Sequence, residues 1–287
     1  MFWPPFLWAW QLHQIAKKVY VSGGQENKIY LFNLANGEKI DSISCQFKNE
    51  SSDYSDGYIG DMRLSKDGKT LFAVDQIGFR LIIIDTETKK IKQNVPVGRY
   101  PFGVCLSKDE KEVYVANVGM FQYSYLPGLT KENVNEKAHK FPPFEFNSKS
   151  AKEGYKTEDS LEIPGLGDPN VPESFSVFSV DISKDSAFVS AKTKTGHLVG
   201  SMVEDIPAVG GASPNSLVAT DEYVFVSNGN NDNISVISTE KDTVISTIYL
   251  KPDERLKQFR GVIPFGLAVS PDQKGFMLPN RVSMRWQ

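Results

Sequence analysis

Residues with chemical potential are sparse in this chain and gather in a few short segments. His197, within KTKTGHLVG, carries an imidazole that titrates near neutrality, so it is a candidate acid, base or ligand; the alternative is a packing or hydrogen-bonding histidine. Asn228, Asn230, Asn231, Asp232 and Asn233 crowd one segment, and their side-chain oxygens suit a hard cation such as calcium, with Asn230 and Asp232 as the candidate metal ligands. Tight turns favour the same residues, because Asn tolerates left-handed backbone and bonds its own chain. Arg99, Tyr100, Asn117, Asn215 and Arg260 form a further set that could cradle an anion or a partner's polar groups. Arg99 and Arg260 both precede Pro-Phe-Gly, at different offsets. That tripeptide also has a structural reading: proline restricts the backbone, and glycine lets the chain approach the channel closely.

Other chemistries are excluded. The chain has no G-x-S-x-G, no P-loop, no H-E-x-x-H and no dinucleotide fingerprint, and no catalytic residue is assigned. Three histidines, His13, His139 and His197, lie too far apart in character and position for a His-rich metal site, and no cofactor is evident. A formal net charge of −3 argues against a nucleic-acid partner held by a basic surface. Cys45 and Cys105 offer neither a disulfide framework nor metal spacing and read as small apolar side chains.

The elements that must position these residues repeat. Four segments, Asn27 to Ile43, Phe79 to Val97, Phe175 to Ser190 and Asn233 to Leu250, each run as an alternating β-branched strand, a short polar turn and a second alternating strand. Period-two alternation between turn residues is the signal of half-buried strands in a hairpin. A second repeated pair stands ahead of most of them: residues 59–75, 101–117, 214–228 and 264–280. Two strands plus two strands make a four-stranded antiparallel blade, so the chain is predicted to be all-β, a β-propeller with about four and a half blades, in an open or incomplete ring. At 40% hydrophobic and 23% charged, 287 residues can bury a sizeable core.

Antiparallel order divides the loops between two faces. Turns from second to third strand share a face with the connections from one blade to the next, and these hold RYPFG, GGASPNS, SNGNNDN, DERLKQFRGVIPFG and a long insertion at about 118–173. The opposite face has short charged turns such as SKDGK and SKDEK, which read as solvated hairpin ends. Binding residues concentrate on loops held by rigid scaffolds, so ligand or partner is expected on the first face. The middle of the insertion, 130–160, is charged and mostly non-periodic; a lid or docking element and a passive excursion both fit it.

The ends depart from the repeat. All four tryptophans lie within the first ten or last two residues. Residues 1–17 form an atypical aromatic segment where a first strand should stand, residues 18–280 carry the blades, and 281–287 form an atypical tail. The N-terminal stretch lacks the basic region and cleavage site of a signal peptide, and its apolar run is too short to span a bilayer. The expectation is a truncated or frame-disturbed piece of a longer protein; the alternative is a natural variant with an aromatic N-terminal plug.

The pattern P-F-G-V-x-L-S-x-D-x-K-x-V-Y-V-A-N, followed by N-x-I-S-V-I and V-I-x-T-I, resembles the YVTN-type repeat propellers of bacteria and archaea over roughly residues 18–276. More narrowly, YIGDMRL, VGRYPFG, YVANVGMFQYSY, PGLGDPNVPESFSVF and RGVIPFGLA resemble bacterial proteins that join such a propeller to a C-terminal phosphoesterase domain of the alkaline phosphatase superfamily. The resemblance implies a noncatalytic binding or scaffold module in an exported, periplasmic or surface protein. Its partner would be that phosphoesterase domain or an envelope component, and divalent metal would belong to that domain alone. Two alternatives stay open: a lactonase-type propeller hydrolase and a pure protein-interaction scaffold.

Overall fold

A computed structural model of the chain describes residues 10–13, 17–46, 57–122, 130, 132–133, 136, 148–203, 206–251, 255, 261–270 and 275–277. The first sheet comprises β1 (Trp10–His13), β2 (Lys18–Ser22), β3 (Lys28–Asn33) and β4 (Lys39–Ser44). The second holds β5 (Ile59–Leu64), β6 (Thr70–Asp75), β7 (Arg80–Asp85) and β8 (Lys90–Pro96). In the third, β9 (Pro101–Leu106) and β10 (Glu112–Asn117) are separated by the insertion from two later strands. The insertion carries a helical turn at Lys149–Glu153 and the ribbon β11 (Gly154–Lys156) and β12 (Glu162–Pro164). The chain then completes the third sheet with β13 (Ser176–Asp181) and β14 (Phe188–Lys194), and forms a small hairpin, β15 (Met202–Val203) and β16 (Ile206–Pro207). A fourth sheet follows, β17 (Pro214–Ala219), β18 (Tyr223–Asn228), β19 (Asn233–Ser238) and β20 (Thr243–Tyr249), then a two-stranded fifth, β21 (Ala268–Val269) and β22 (Phe276–Met277).

All neighbours within the four-stranded sheets pair antiparallel in sequence order; the repeats give three complete blades, one without a credible first strand and a partial fifth, and the structure has four four-stranded sheets and a two-stranded fifth. Innermost strands pack in succession, β1 on β5, β5 on β9, β9 on β17 and β17 on β21. Among the described residues no comparable packing joins the fifth sheet to the first, and no closed ring is formed.

Two features differ from the sequence expectation. Residues Trp10–His13 occupy the first-strand slot and pair with β2 in the register Gln11 to Tyr20 and Leu12 to Val19. Four residues of W-Q-L-H are too short to show alternation, and backbone pairing needs no β-branched signature. The second difference is burial: β7 (RLIIID) and β19 (NISVIS) are covered on both faces rather than half-buried. β7 and β19 belong to blades two and four, each of which lies between two other sheets, which explains it. In β6 and β7, Leu71, Ala73, Ile82 and Ile84 join the first blade's Tyr20, Ile29, Leu31 and Ile43, while Phe72, Val74, Leu81 and Ile83 join the third blade's Val104, Val113, Val115 and Phe178. A third cluster, with Tyr114, Ala116, Leu217, Val224 and Val226, seals the third blade to the fourth.

Local chemistry sets the turns. Ser65 Oγ accepts the Thr70 amide at 3.0 Å while Asp67 Oδ1 accepts Lys69 N at 2.9 Å, closing SKDGK. Ser107 and Asp109 repeat the arrangement at SKDEK, and Ser270 again bonds Gly275. These are the charged turns of the loop-poor face. Gly103 shows why Pro-Phe-Gly carries glycine: a Cβ there would lie 2.4 Å from the carbonyl oxygen of Asn215 on the next inner strand. The close approach is therefore to the adjacent blade.

Candidate functional site

The described candidate residues fall on the loop-rich face, as blade order requires, and most of them are spent within the protein. Asn117 and Asn228 end the second strands of their blades, where Asp75 stands in blade two. Asp75 Oδ1 accepts the amides of Tyr58 at 2.9 Å and Gly78 at 3.0 Å, and Oδ2 meets Arg80 Nε at 2.9 Å. In blade three, Asn117 Nδ2 donates to Ser176 Oγ at 3.3 Å, and in blade four Asn228 Nδ2 donates to Asn233 Oδ1 and Ser235 Oγ, each at 2.8 Å. Asp75, Asn117 and Asn228 are all buried. Each reaches from the last residue of the second strand to the first of the third, tying the two ends of the connection between them, a short turn in blades two and four and the long insertion in blade three. The Oδ1 atoms of Asn117 and Asn228 have no partner and are shut away from solvent.

Arg99 is an internal clamp. Its Nη1 donates to the Met120 carbonyl at 3.0 Å, the Asp168 carbonyl at 2.8 Å and Ser174 Oγ at 2.9 Å, and burial holds its proton affinity below the ordinary range. Both ends of the insertion are thereby fastened to the third blade. Lys194, which sequence reasoning did not single out, completes the clamp: its Nζ donates to the carbonyls of Ser174 at 2.6 Å and Val171 at 3.3 Å beside the Phe175 ring. Burial, then repulsion from Arg99, pulls its pKa down from 10.5 to about 8. Tyr100 holds positive φ (49°) ahead of Pro101, as do Ser213 (55°) and Ile263 (46°) ahead of Pro214 and Pro264. Its role is to turn the chain into an inner strand. Asn215 accepts Ser227 Oγ at 2.7 Å and donates to the Pro264 carbonyl at 3.1 Å, linking the fourth blade to the fifth. Arg260 lies outside the described residues.

The remaining candidates converge. Asp232, itself left-handed (φ 48°, ψ 42°), accepts Gly261 N at 2.6 Å and Ile263 N at 2.8 Å with its two carboxylate oxygens. Asn230 Nδ2 donates to the Gly210 carbonyl at 3.0 Å, and Asn231 Nδ2 to that of Gly211 at 3.2 Å. Asn231 Oδ1 takes the backbone amide of His197 at 2.9 Å, and the imidazole stacks on Tyr249. Three connections are thus stitched together: 196–212, 229–232 and 261–263. Between them lies a recess of about 350 Å3 whose walls include His197, Ile206, Val209, Asn230, Asp232 and Ile263. No group of three His, Cys, Asp or Glu side chains placed to hold a metal ion occurs among the described residues. Asp232 already accepts two amides and the Asn230 amide group is committed to Gly210, so the pair has the wiring of a turn.

Apolar exposure is the feature that sequence reasoning missed. Leu198, Met202, Ile206, Val209, Tyr249, Ile263 and Phe265 are each about half exposed or more; Ile206, Val209 and Ile263 wall the recess, and Tyr249 stacks on His197 beside it. The signal was present in the sequence as apolar residues within LVGSMVEDIPAVGG, a connection too short and irregular for periodicity to place. The insertion has regular structure in part of its described residues. Its segment 148–167 is built as helical turn and ribbon, with Leu166 N bonded to the Ala151 carbonyl at 2.7 Å and Gln122 N to that of Leu166 at 2.8 Å.

No protein-family model matches the chain, and no curated protein matches it. Among solved structures it is similar to the hydrazine synthase of Kuenenia stuttgartiensis (TM-score 0.59, 10% identity, covering 96% of this chain and 56% of that one). It is also similar to a β-propeller domain from Myceliophteria thermophila (TM-score 0.53, 9% identity, 96% and 62% covered). A third is a putative 6-phosphogluconolactonase from Bacteroides fragilis (TM-score 0.53, 12% identity, 93% and 61% covered). The chain spans less than two thirds of each of these proteins. Together with the four-stranded sheets, these likenesses give the fold: a β-propeller architecture.

Proposed function

We propose that the chain is a noncatalytic propeller module that binds through its loop-rich face. The observation that carries this reading is the division of labour on that face. The polar candidates Arg99, Asn215, Asn228 and Asp232 are consumed by internal hydrogen bonds, while aliphatic side chains of the 196–212 and 261–265 connections face solvent. Exposed apolar patches of this kind mark contact surfaces. The resemblance of RYPFG, YVANVGMFQYSY and PGLGDPNVPESFSVF to propellers joined to an alkaline-phosphatase-superfamily phosphoesterase extends the proposal. The module serves a larger exported, periplasmic or surface protein of bacterial type, presenting that face to the phosphoesterase domain or to an envelope partner. Any divalent metal would reside in that domain.

Hydrogen exchange compared between this chain and the full natural polypeptide tests the reading. Added protection is expected at 98–101, 196–212, 229–233 and 261–265, with the turns 65–69, 86–89 and 107–111 unchanged. The reverse pattern contradicts it. A lactonase-type hydrolase is the alternative, and hydrolysis of 6-phosphogluconolactone above the buffer rate would replace the binding reading with that one.

A further inference from the structure

Two buried guanidinium groups, Arg80 and Arg99, differ in how their charge is met. Arg80 Nε lies 2.9 Å from the Asp75 carboxylate. Arg99, 9% exposed, commits only Nη1 to its clamp, on the Met120 and Asp168 carbonyls and Ser174 Oγ. Among the described residues its Nε and Nη2 have no hydrogen-bond partner, and the carboxylates whose charge reaches it, Glu173 and Asp168, are engaged elsewhere. Glu173 pairs with Lys192 at 2.8 Å, and Asp168 Oδ1 accepts the Asn170 amide at 2.8 Å. The described side-chain atoms both unpaired and shut from solvent are Asn117 Oδ1, His197 Nε2, Asn228 Oδ1 and Asn233 Nδ2, so the unspent edge of Arg99 keeps contact with solvent. It emerges beside Gly167, where a Cβ would stand 3.1 Å from Nη2 and 3.5 Å from Gln122. Gly167 is half-buried, and Gln122 and Asp168 are exposed. Lys194 brings a second positive charge, its ammonium bonded to the carbonyl of the same Ser174. Buried cations are normally paired, and Nε with Nη2 is the parallel pair of donors that takes a carboxylate through both oxygens. Lys194 spends its own donors on the Pro169, Val171 and Ser174 carbonyls and so contributes field without contact. With Asp168 and Glu173 close by, that field suits a single negative charge, a carboxylate rather than a phosphate dianion.

We propose that the Nε and Nη2 edge of Arg99 is a carboxylate-binding site, filled by an acidic side chain of the partner that the loop-rich face receives. The inference rests on reading that face as the binding face. Acetate is the probe, titrated into the full chain against chloride at constant ionic strength and followed by nitrogen-15 NMR. It should give saturable shifts of the Arg99 Nε–H and of the Gly167 and Asp168 amides, with a Kd below about 30 mM for one bidentate pair. Arg80, already paired with Asp75, should not shift, and inorganic phosphate should bind no more tightly than acetate. Gly167 holds φ 77°, a backbone that Asp and Asn also adopt, and either side chain would cover Nη2. Gly167→Asp and Gly167→Asn should each weaken acetate binding at least about fivefold. Gly167→Asp supplies the carboxylate from within and should melt at least about 2 °C above Gly167→Asn. Absence of saturable shifts, shifts that chloride reproduces, tighter binding of phosphate, or equal melting of the two variants would each overturn the proposal. The exchange experiment above is independent of the probe. Added protection of the face without acetate binding removes this inference alone, and acetate binding without added protection upholds the site and removes the partner reading alone.

Discussion

Replacing Arg80 by methionine should cost far more than the loss of one ion pair suggests. Arg80 and Asp75 are almost fully buried, at 3% and 2% side-chain exposure, with Nε to Oδ2 at 2.9 Å. The guanidinium also donates to Asn94 Oδ1 at 2.6 Å and to the carbonyl of Cys45 in the preceding blade. Methionine fills most of the volume but removes the charge and every donor. The Asp75 carboxylate then keeps its bonds to the Tyr58 and Gly78 amides without a counter-charge, and two acceptors lose their partners. Breaking one side of a buried pair costs about 3–5 kcal/mol, a large part of the roughly 5–15 kcal/mol that holds a domain together. At about 2–4 °C per kcal/mol for a chain of this size, Tm should fall by roughly 6–20 °C. Urea unfolding followed by circular dichroism gives the free energy directly. In the double variant Asp75→Leu with Arg80→Met no buried charge remains unpaired, so the two losses should fall short of adding by about 2 kcal/mol or more. A single-variant loss under about 1 kcal/mol, or strict additivity, would refute the assignment of this pair as the brace of blade two and its link to blade one.

Other expectations follow from the same geometry. Burial pushes both the Cys45 and Cys105 thiols up to about 12, so neither should react with a disulfide reagent at pH 8 until denaturant is added, when both should react. Gly103→Ala should destabilise by about 1–3 kcal/mol, read by urea unfolding, because its new methyl meets the Asn215 carbonyl across the blade interface. Asn228→Ala leaves Asn233 Oδ1 and Ser235 Oγ without their donor and should cost about 2 kcal/mol in the same assay. Lys194 gives a pH signature: from about pH 8 to 10.5 the unfolded chain binds a proton that the folded chain has released, so stability should rise with pH across that window. Lys194→Gln should remove that rise, measured as unfolding free energy at pH 7.5 and 9.5.

The legible part of this fold was its repetition. Alternation in segments such as LIIIDTETKKIKQNV fixed both strands of each hairpin, and antiparallel order then assigned every loop to a face. The short strand Trp10–His13 was illegible because four residues carry no period, and its pairing is a backbone matter. Antiparallel order sets the strand ends at which the described polar candidates stand, yet their chemistry was hidden. A sequence gives Arg99 a charge but does not show that Met120, Asp168 and Ser174 will close around it. Asn228 and Asp232 likewise are turn residues whose partners lie on the next strand or the next blade's approach. The apolar wall of the recess was lost for the opposite reason. Val203, Ile206 and Val209 come from one irregular connection and Ile263 from another about fifty residues on, and only the blade order brings the two together.

The measurement that bears most directly on the account is the DNA sequence around the coding segment, read in all frames upstream and downstream. A propeller module serving a phosphoesterase predicts repeat sequence that continues beyond the segment and leads into a metallohydrolase with its own aspartate and histidine ligands. Unrelated sequence and stop codons on both sides would contradict that assignment.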